Sequence, residues 1–179
     1  HRHLVDRLAE LRPDDGLLSE EGTDDGARLE ASRVWILDPL DGTRDFGRPE
    51  SIEWAVHVAL VEGGRPTAAA VALPASGQLY GTGLSAASRP LERERPVVVT
   101  SRSQWGEAEV VASAIGGVVR SFGSAGVKAM AVVGGSADVY VHPSGLYEWD
   151  VCAPAAVATA AGLDARSLDG KVLTFNKPR

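Results

Sequence analysis

Apolar positions recur at helical spacing at Leu4, Val5, Leu8 and Leu11, and Pro13, Asp14, Asp15 and Gly16 end that helix in a turn. Leu17, Leu18 and Ser19 then read as a short strand that delivers Glu20 and Glu21. Residues 22–32 are polar and rich in Gly and Asp, the composition of a mobile surface segment. The apolar run Val34, Trp35, Ile36 and Leu37 predicts a buried strand that stops at Asp38 and Pro39. Residues 54–61 and 67–73 read as two strands joined by a turn at 62–66, and a third at 78–82 follows the turn at 74–77. Together these three predict an antiparallel meander.

Beyond residue 85 the pattern changes. Small residues give way to a charged run over 89–95, and a boundary placed across 85–96 divides the chain into units of 1–88 and 96–179. After it, strands at 96–100, 118–122 and 138–142 alternate with helices at 104–115, 125–133 and 153–161, the last ended by Gly162. The expected fold is an α+β first half followed by an α/β second half, stacked in alternating helix and sheet layers.

Composition narrows the functions open to this chain. Its 179 residues, 44% hydrophobic and 23% charged, suffice for a sizeable core and give no case for disorder. A formal net charge of -6 argues against a binder of nucleic-acid polymers or of membrane surfaces. A small anionic substrate stays compatible, because bound divalent cations reverse the local field at a carboxylate cluster. The single cysteine, Cys152, excludes an internal disulfide and a zinc–thiolate cluster, and fits a reducing cytoplasm. No apolar run reaches the ~20 residues that span a bilayer. The first residues read as mid-helix, so the natural chain is expected to extend upstream.

The informative stretch is Asp38, Pro39, Leu40, Asp41, Gly42, Thr43, Arg44, Asp45 and Phe46, at the end of the apolar strand. Carboxylates at a buried strand end need a cationic partner. Magnesium suits them, since it takes oxygen ligands and few protein carboxylates. Pro39 stiffens the turn so that Asp38, Asp41 and the Leu40 carbonyl can converge, and Gly42 lets backbone approach a ligand closely. The amides of Gly42 and Thr43 would seat an anion if they open a short helix. A plain strand-to-turn with aspartate caps explains the same residues. Glu20 and Glu21 alone read as a solvated turn, and Asp150, after Glu148 and Trp149, as a helix N-cap.

Taken together, the segments 18–21, 38–43 and 149–150 resemble the inositol monophosphatase-like phosphatase superfamily, most of all its bacterial CysQ branch, the 3'(2'),5'-bisphosphate nucleotidases. Gly123, Ser124, Ala125, Gly126, Val127, Lys128, Ala129 and Met130 carry the same flavour. The resemblance runs from residue 1 to about 176 and implies a layered αβαβα sandwich of the sugar and inositol phosphatase type. It implies two or three Mg2+ ions. Glu20, Asp38 and the Leu40 carbonyl would hold the first, and Asp38, Asp41 and Asp150 the second. Glu20 and Thr43 would position the attacking water, and the Gly42 and Thr43 amides would receive the phosphate. It also implies a cytoplasmic enzyme inhibited by lithium. The aspartate that partners Thr43 in the superfamily, and a C-terminal strand and helix, are expected outside the present sequence.

Substrate-side candidates are Ser124 and Lys128, at the start of a predicted helix, and Ser101 and Arg102, just after a strand. Each has an ordinary reading as well, a solvated lysine or a loop charge. His142 reads as a surface residue, His57 as a hydrogen-bonded core residue, and Cys152 as packing. The expected partner is a small phosphorylated molecule, a nucleotide bisphosphate or else a sugar or inositol phosphate, with a homodimer left open. Inositol monophosphatase and fructose-1,6-bisphosphatase activities are the alternatives within the class, and a non-catalytic metal-binding module the alternative outside it. A haloacid-dehalogenase-like site is excluded, since it needs two aspartates separated by one residue, whereas two residues separate Asp38 from Asp41.

Overall fold

The computed structural model describes residues 1–24, 26–84 and 93–178. The chain opens with α1 (Arg2–Leu11) and β1 (Gly16–Ser19), followed by β2 (Arg33–Asp41) and the short helix α2 (Thr43–Phe46). β3 (Ala55–Glu62), β4 (Arg65–Leu73) and β5 (Gln78–Gly81) form the predicted meander. Then come β6 (Val97–Thr100), α3 (Trp105–Ala114), β7 (Val118–Ser121), α4 (Ala125–Val133), β8 (Val139–Tyr140) and α5 (Glu148–Ala160).

The first sheet has the order β1-β2-β3-β4-β5, with β1 parallel to β2 and the remaining pairs antiparallel. The second has the order β7-β6-β8 and is parallel throughout. Along β3 the residues Ala55, His57, Ala59 and Val61 alternate onto the buried face. Helices α4 and α5 cover that face, with Ile36, Val71, Met130 and Val157 in one core. The other side of α4, through Ala131 and Val132, meets Val97 and Val99 of the second sheet. Helix α3 covers that sheet's far face, where Ala108 and Ala112 pack on Val98 and Val141. Sheet and helix layers therefore alternate as expected. Each fully buried side chain such as Ile36 or Val157 stabilises the fold by ~1.5–3 kcal/mol.

The main core draws on both sides of the expected boundary, and residues 85–92, where most of that boundary falls, lie outside the described residues. No helix among the described residues is long and apolar enough to cross a membrane.

Three local expectations change. Strand β2 does not stop at Pro39 but runs on to Asp41, because a register shift between Asp38 and Asp41 absorbs the proline, which has no N–H to give the ladder. Helix α5 starts at Glu148 rather than at 153. Asp150 is then inside the first turn, where its carboxylate accepts the Tyr147 amide at 2.6 Å in a capping box. Part of the segment expected to be mobile is anchored. Residues 27–30 form a 3-10 turn whose Arg28 is buried, donating to Asp24 at 2.9 and 3.0 Å and to the Lys177 carbonyl at 3.0 Å.

Candidate active site

Two parallel alignments bring the acids together. β1 lies beside β2 in register, Ser19 opposite Leu37, so Glu20 leaves its strand at the end where Asp38 begins, its amide bonded to the Leu37 carbonyl at 3.2 Å. In the second sheet all strands point the same way, so Ser101, the 122–124 loop and His142 emerge at one edge. Ligands gather at such carboxyl ends. Helix α5 then runs back over the first sheet and carries Asp150 to the bulge of β2.

The result is a cluster in which one carboxylate oxygen each from Asp38, Asp41 and Asp150 lie within 4.8 Å of one another. Asp38 and Asp41 are buried. Glu20 is exposed at the rim, near enough for its charge to act on both Asp38 and Asp150. Burial, with the charges of Asp41 and Glu20 added, pushes the Asp38 carboxyl up to about 8 against the pull of His57. Burial likewise lifts Asp150 to about 6, although the Tyr147 amide opposes it. These are the properties of carboxylates that lack a compensating cation, and an all-oxygen donor set of this size fits magnesium.

Asp41 is held differently. Its Oδ2 accepts the Ser124 hydroxyl at 2.5 Å and the Gly126 amide at 2.7 Å. His57 Nε2 lies 3.2 Å from the same oxygen. That N–H is not aligned as a hydrogen bond, so the contact is an ionic one. Burial opposes ionisation of Asp41, yet His57, Ser124 and Gly126 bring its carboxyl down to about 2. Burial also works against a charged His57, but Asp41 and Asp38 outweigh it and raise the imidazole above its ordinary value.

The motif turn behaves as its residues require. Asp38 Oδ1 accepts the Leu40 amide at 3.0 Å, and the Thr43 hydroxyl donates to the Leu40 carbonyl at 3.1 Å. Gly42 caps α2 at φ 88°, and a Cβ there would stand 2.6 Å from the Glu53 carbonyl. Gly42 and Thr43 thus open a short helix as expected. Gly126 is equally constrained, since an added Cβ would meet His57 Nε2 at 2.2 Å and Ala55 Cβ at 2.9 Å. Gly126→Ala is expected to cost ~1–3 kcal/mol through overpacking, read as a lower denaturation midpoint with unchanged slope.

The substrate-side candidates are more occupied than the sequence suggests. Lys128 is buried, which excludes a solvated surface lysine. Its ammonium donates to the carbonyls of Ser124, Gly123 and Phe122 at 2.6, 3.0 and 3.4 Å. Burial lowers it to about 8. Ser124 caps α4 while it holds Asp41, accepting the Val127 amide at 3.0 Å. Arg102 pairs with Asp45 at 3.1 Å and with Glu53 at 2.6 Å, and Glu53 also accepts the Gly123 amide at 2.5 Å. Ser101 Oγ stands 3.4 Å from Nδ1 of His142, which is half-buried rather than at the surface. Trp35 is half-buried, its indole N–H donating to Asp15 at 2.9 Å, and Cys152 is buried packing.

Sequence reasoning missed Glu53 and Asp45, and it read His57 as a hydrogen-bonded core residue without tying it to the carboxylates. The signal for His57 was available, because a histidine between Ala55 and Ala59 on the buried face of a strand needs polar partners.

Asp38 and Asp41 of β2 and Asp150 of α5 form a carboxylate cluster that could hold a metal ion, and the sequence profile of the inositol monophosphatase family matches residues 1–179. The chain belongs to that family. It is 46% identical to the 3'-phosphoadenosine 5'-phosphate phosphatase of Mycobacterium bovis, an alignment covering 97% of this chain and 68% of that protein. It is 29% identical to the 3'(2'),5'-bisphosphate nucleotidase CysQ of Escherichia coli, over 98% of this chain and 76% of the other. An IMPase/NADP phosphatase complexed with Mg2+ and phosphate shares the fold, with a TM-score of 0.81 at 22% identity over 97% of this chain and 69% of that one. The family resemblance and the layered fold read from the sequence are thus borne out.

Proposed function

We propose that this chain is a magnesium-dependent 3'(2'),5'-bisphosphate nucleotidase that hydrolyses 3'-phosphoadenosine 5'-phosphate to AMP and phosphate. The observation that carries the reading is the convergence of Asp38, Asp41 and Asp150 within 4.8 Å, with Glu20 at the rim. The identity to the Mycobacterium bovis enzyme supports the substrate.

Glu20, Asp38 and the Leu40 carbonyl would hold one magnesium, and Asp38, Asp41 and Asp150 another, for two or three ions in all. Magnesium bound there supplies polarisation of the phosphoryl oxygens and a lowered pKa for its coordinated water. The chain's own groups do the rest. Asp41, with its Oδ2 occupied by Ser124 and Gly126, offers its other oxygen to the site. Thr43 and Glu20 orient the attacking water, and the amides of Gly42 and Thr43 receive the phosphate. For Ser124, Lys128 and Arg102 the observed partners favour building the wall of the site over direct anion contact. Ser101, beside His142, is the better-placed substrate contact. A reducing cytoplasm is the compartment that suits the lone buried Cys152.

The test is phosphate release from 3'-phosphoadenosine 5'-phosphate, inositol 1-phosphate and fructose 1,6-bisphosphate, with magnesium and with a chelator. The nucleotide should turn over fastest and the chelator should abolish release. Faster hydrolysis of inositol phosphate would shift the reading to an inositol monophosphatase, and release indifferent to chelation would overturn the metal site.

A further inference from the structure

Every segment that supplies a carboxylate to the trio touches one residue. His57 stands opposite Asp38 across the β2–β3 pair, so both side chains leave the sheet on the same face. Its Nε2 lies 3.2 Å from Asp41 Oδ2. Its Nδ1 lies 3.1 Å from the Trp149 carbonyl, the residue before Asp150, and because a carbonyl only accepts, Nδ1 carries a proton and donates. The imidazole is wholly buried, and Nε2 is a buried polar atom that, among the described residues, faces the Asp41 carboxylate at 3.2 Å without alignment. Gly126 leaves the space that the ring fills.

We infer that His57 is a positioning residue that sets Asp41 and the start of α5 in register, so that Asp38, Asp41 and Asp150 present their oxygens to one cation. This rests on the metal-site reading above. Three acids brought together by two segments, β2 and α5, repel one another and would rotate apart. A rigid ring, fixed at one end by a backbone carbonyl next to Asp150, places its other nitrogen against Asp41 and so limits where that carboxylate can turn. The partners that orient a metal ligand typically matter by 10–100-fold in metal affinity. His57 performs that task for Asp41 through its ring and for Asp150 through the backbone.

The experiment separates the two ends of the ring by calorimetric titration with Mg2+, beside kcat and KM for the nucleotide at saturating magnesium. His57→Leu removes both contacts. His57→Gln carries an amide N–H to about the place of Nε2, and His57→Asn carries one to about the place of Nδ1. The inference predicts a Mg2+ affinity lowered by about tenfold or more in His57→Leu and by less in His57→Gln and His57→Asn, each of which keeps one of the two contacts, with KM little changed. Wild-type affinity in a folded His57→Leu would overturn it. So would full, wild-type affinity in His57→Asn, which would reduce the residue to a brace for Trp149. Should His57→Leu fail to fold, the Gln and Asn variants decide between them. A wild-type chain that binds no Mg2+ removes the metal reading itself, a result distinct from wild-type binding that His57 does not influence.

Discussion

Asp41→Asn is expected to lose magnesium binding and to lower kcat/KM by about a thousandfold or more, beyond the range of a residue that only supports a ligand. The reason lies in how the carboxylate is divided. Oδ2 takes the Ser124 hydroxyl and the Gly126 amide, both of which donate, so an amide at position 41 must turn its carbonyl oxygen toward them. Its NH2 then points where the second carboxylate oxygen stood, and a nitrogen bearing two protons cannot ligate a cation. The substitution also strands His57. Breaking a buried ion pair costs ~3–5 kcal/mol, and because the imidazole can shed its Nε2 proton the loss belongs at the low end of that range. Calorimetry with Mg2+, phosphate release and urea unfolding measure the three effects. Retained magnesium affinity in a folded Asp41→Asn chain would mean that these acids only cap turns and helices.

Why is so much of this site legible in the sequence, and why is the rest not? Asp38 and Asp41 stood out because carboxylates at the end of an apolar strand contradict their surroundings, and a contradiction in local pattern marks a functional place, whereas Asp150 alone read as a helix cap and joined them only through the family resemblance. The meander, α4 and the alternating strands and helices of the second half followed from alternation and turn residues, signals that act over a few positions. What escaped was set by contacts across the chain. No local rule pairs Arg102 with Asp45 and Glu53, whose separations in sequence exceed forty residues, and without that pairing Arg102 resembles a free cation. Lys128 read from α4 alone either as a phosphate contact or as a solvated lysine, and only the fold of the 122–124 loop over its ammonium makes it internal. The length of β2 was lost to Pro39, whose penalty in a strand is real but is removed by a bulge that depends on the partner strand. The start of α5 was lost as well, in a helix that carries Pro154 within it.

The metal-free chain should lose thermal stability as pH rises from about 5 to about 8, and magnesium should restore it. Asp38 has an ordinary value of 3.8 and a folded value of about 8, raised first by burial. Between those values the folded state keeps a proton that the unfolded state has released. Fewer protons on the unfolded chain make stability fall with pH across that window, and the loss is complete above about 8. Asp150 does the same between 3.8 and about 6. His57, raised by Asp41 and Asp38 despite its burial, adds stability that is full below 6.5 and fades as pH climbs through its folded value, so it acts in the same direction. Asp41 opposes them only in acid, since its contribution is present above 3.8 and lost as pH falls toward about 2. Magnesium binds only the deprotonated carboxylates, so its effect on Tm should be small near pH 5 and large near pH 8, where a concentration of 100 times Kd adds ~2.7 kcal/mol. Asp38→Asn removes the main source of repulsion without changing shape. Its metal-free Tm near pH 8 should exceed that of the wild type, and its response to magnesium should largely vanish as activity does. Scanning calorimetry at the two pH values, with chelator and with magnesium, gives all of these numbers. A metal-free Tm that climbs between pH 5 and 8, or an Asp38→Asn chain that magnesium stabilises as much as wild type, would show that the cluster gains nothing from a cation.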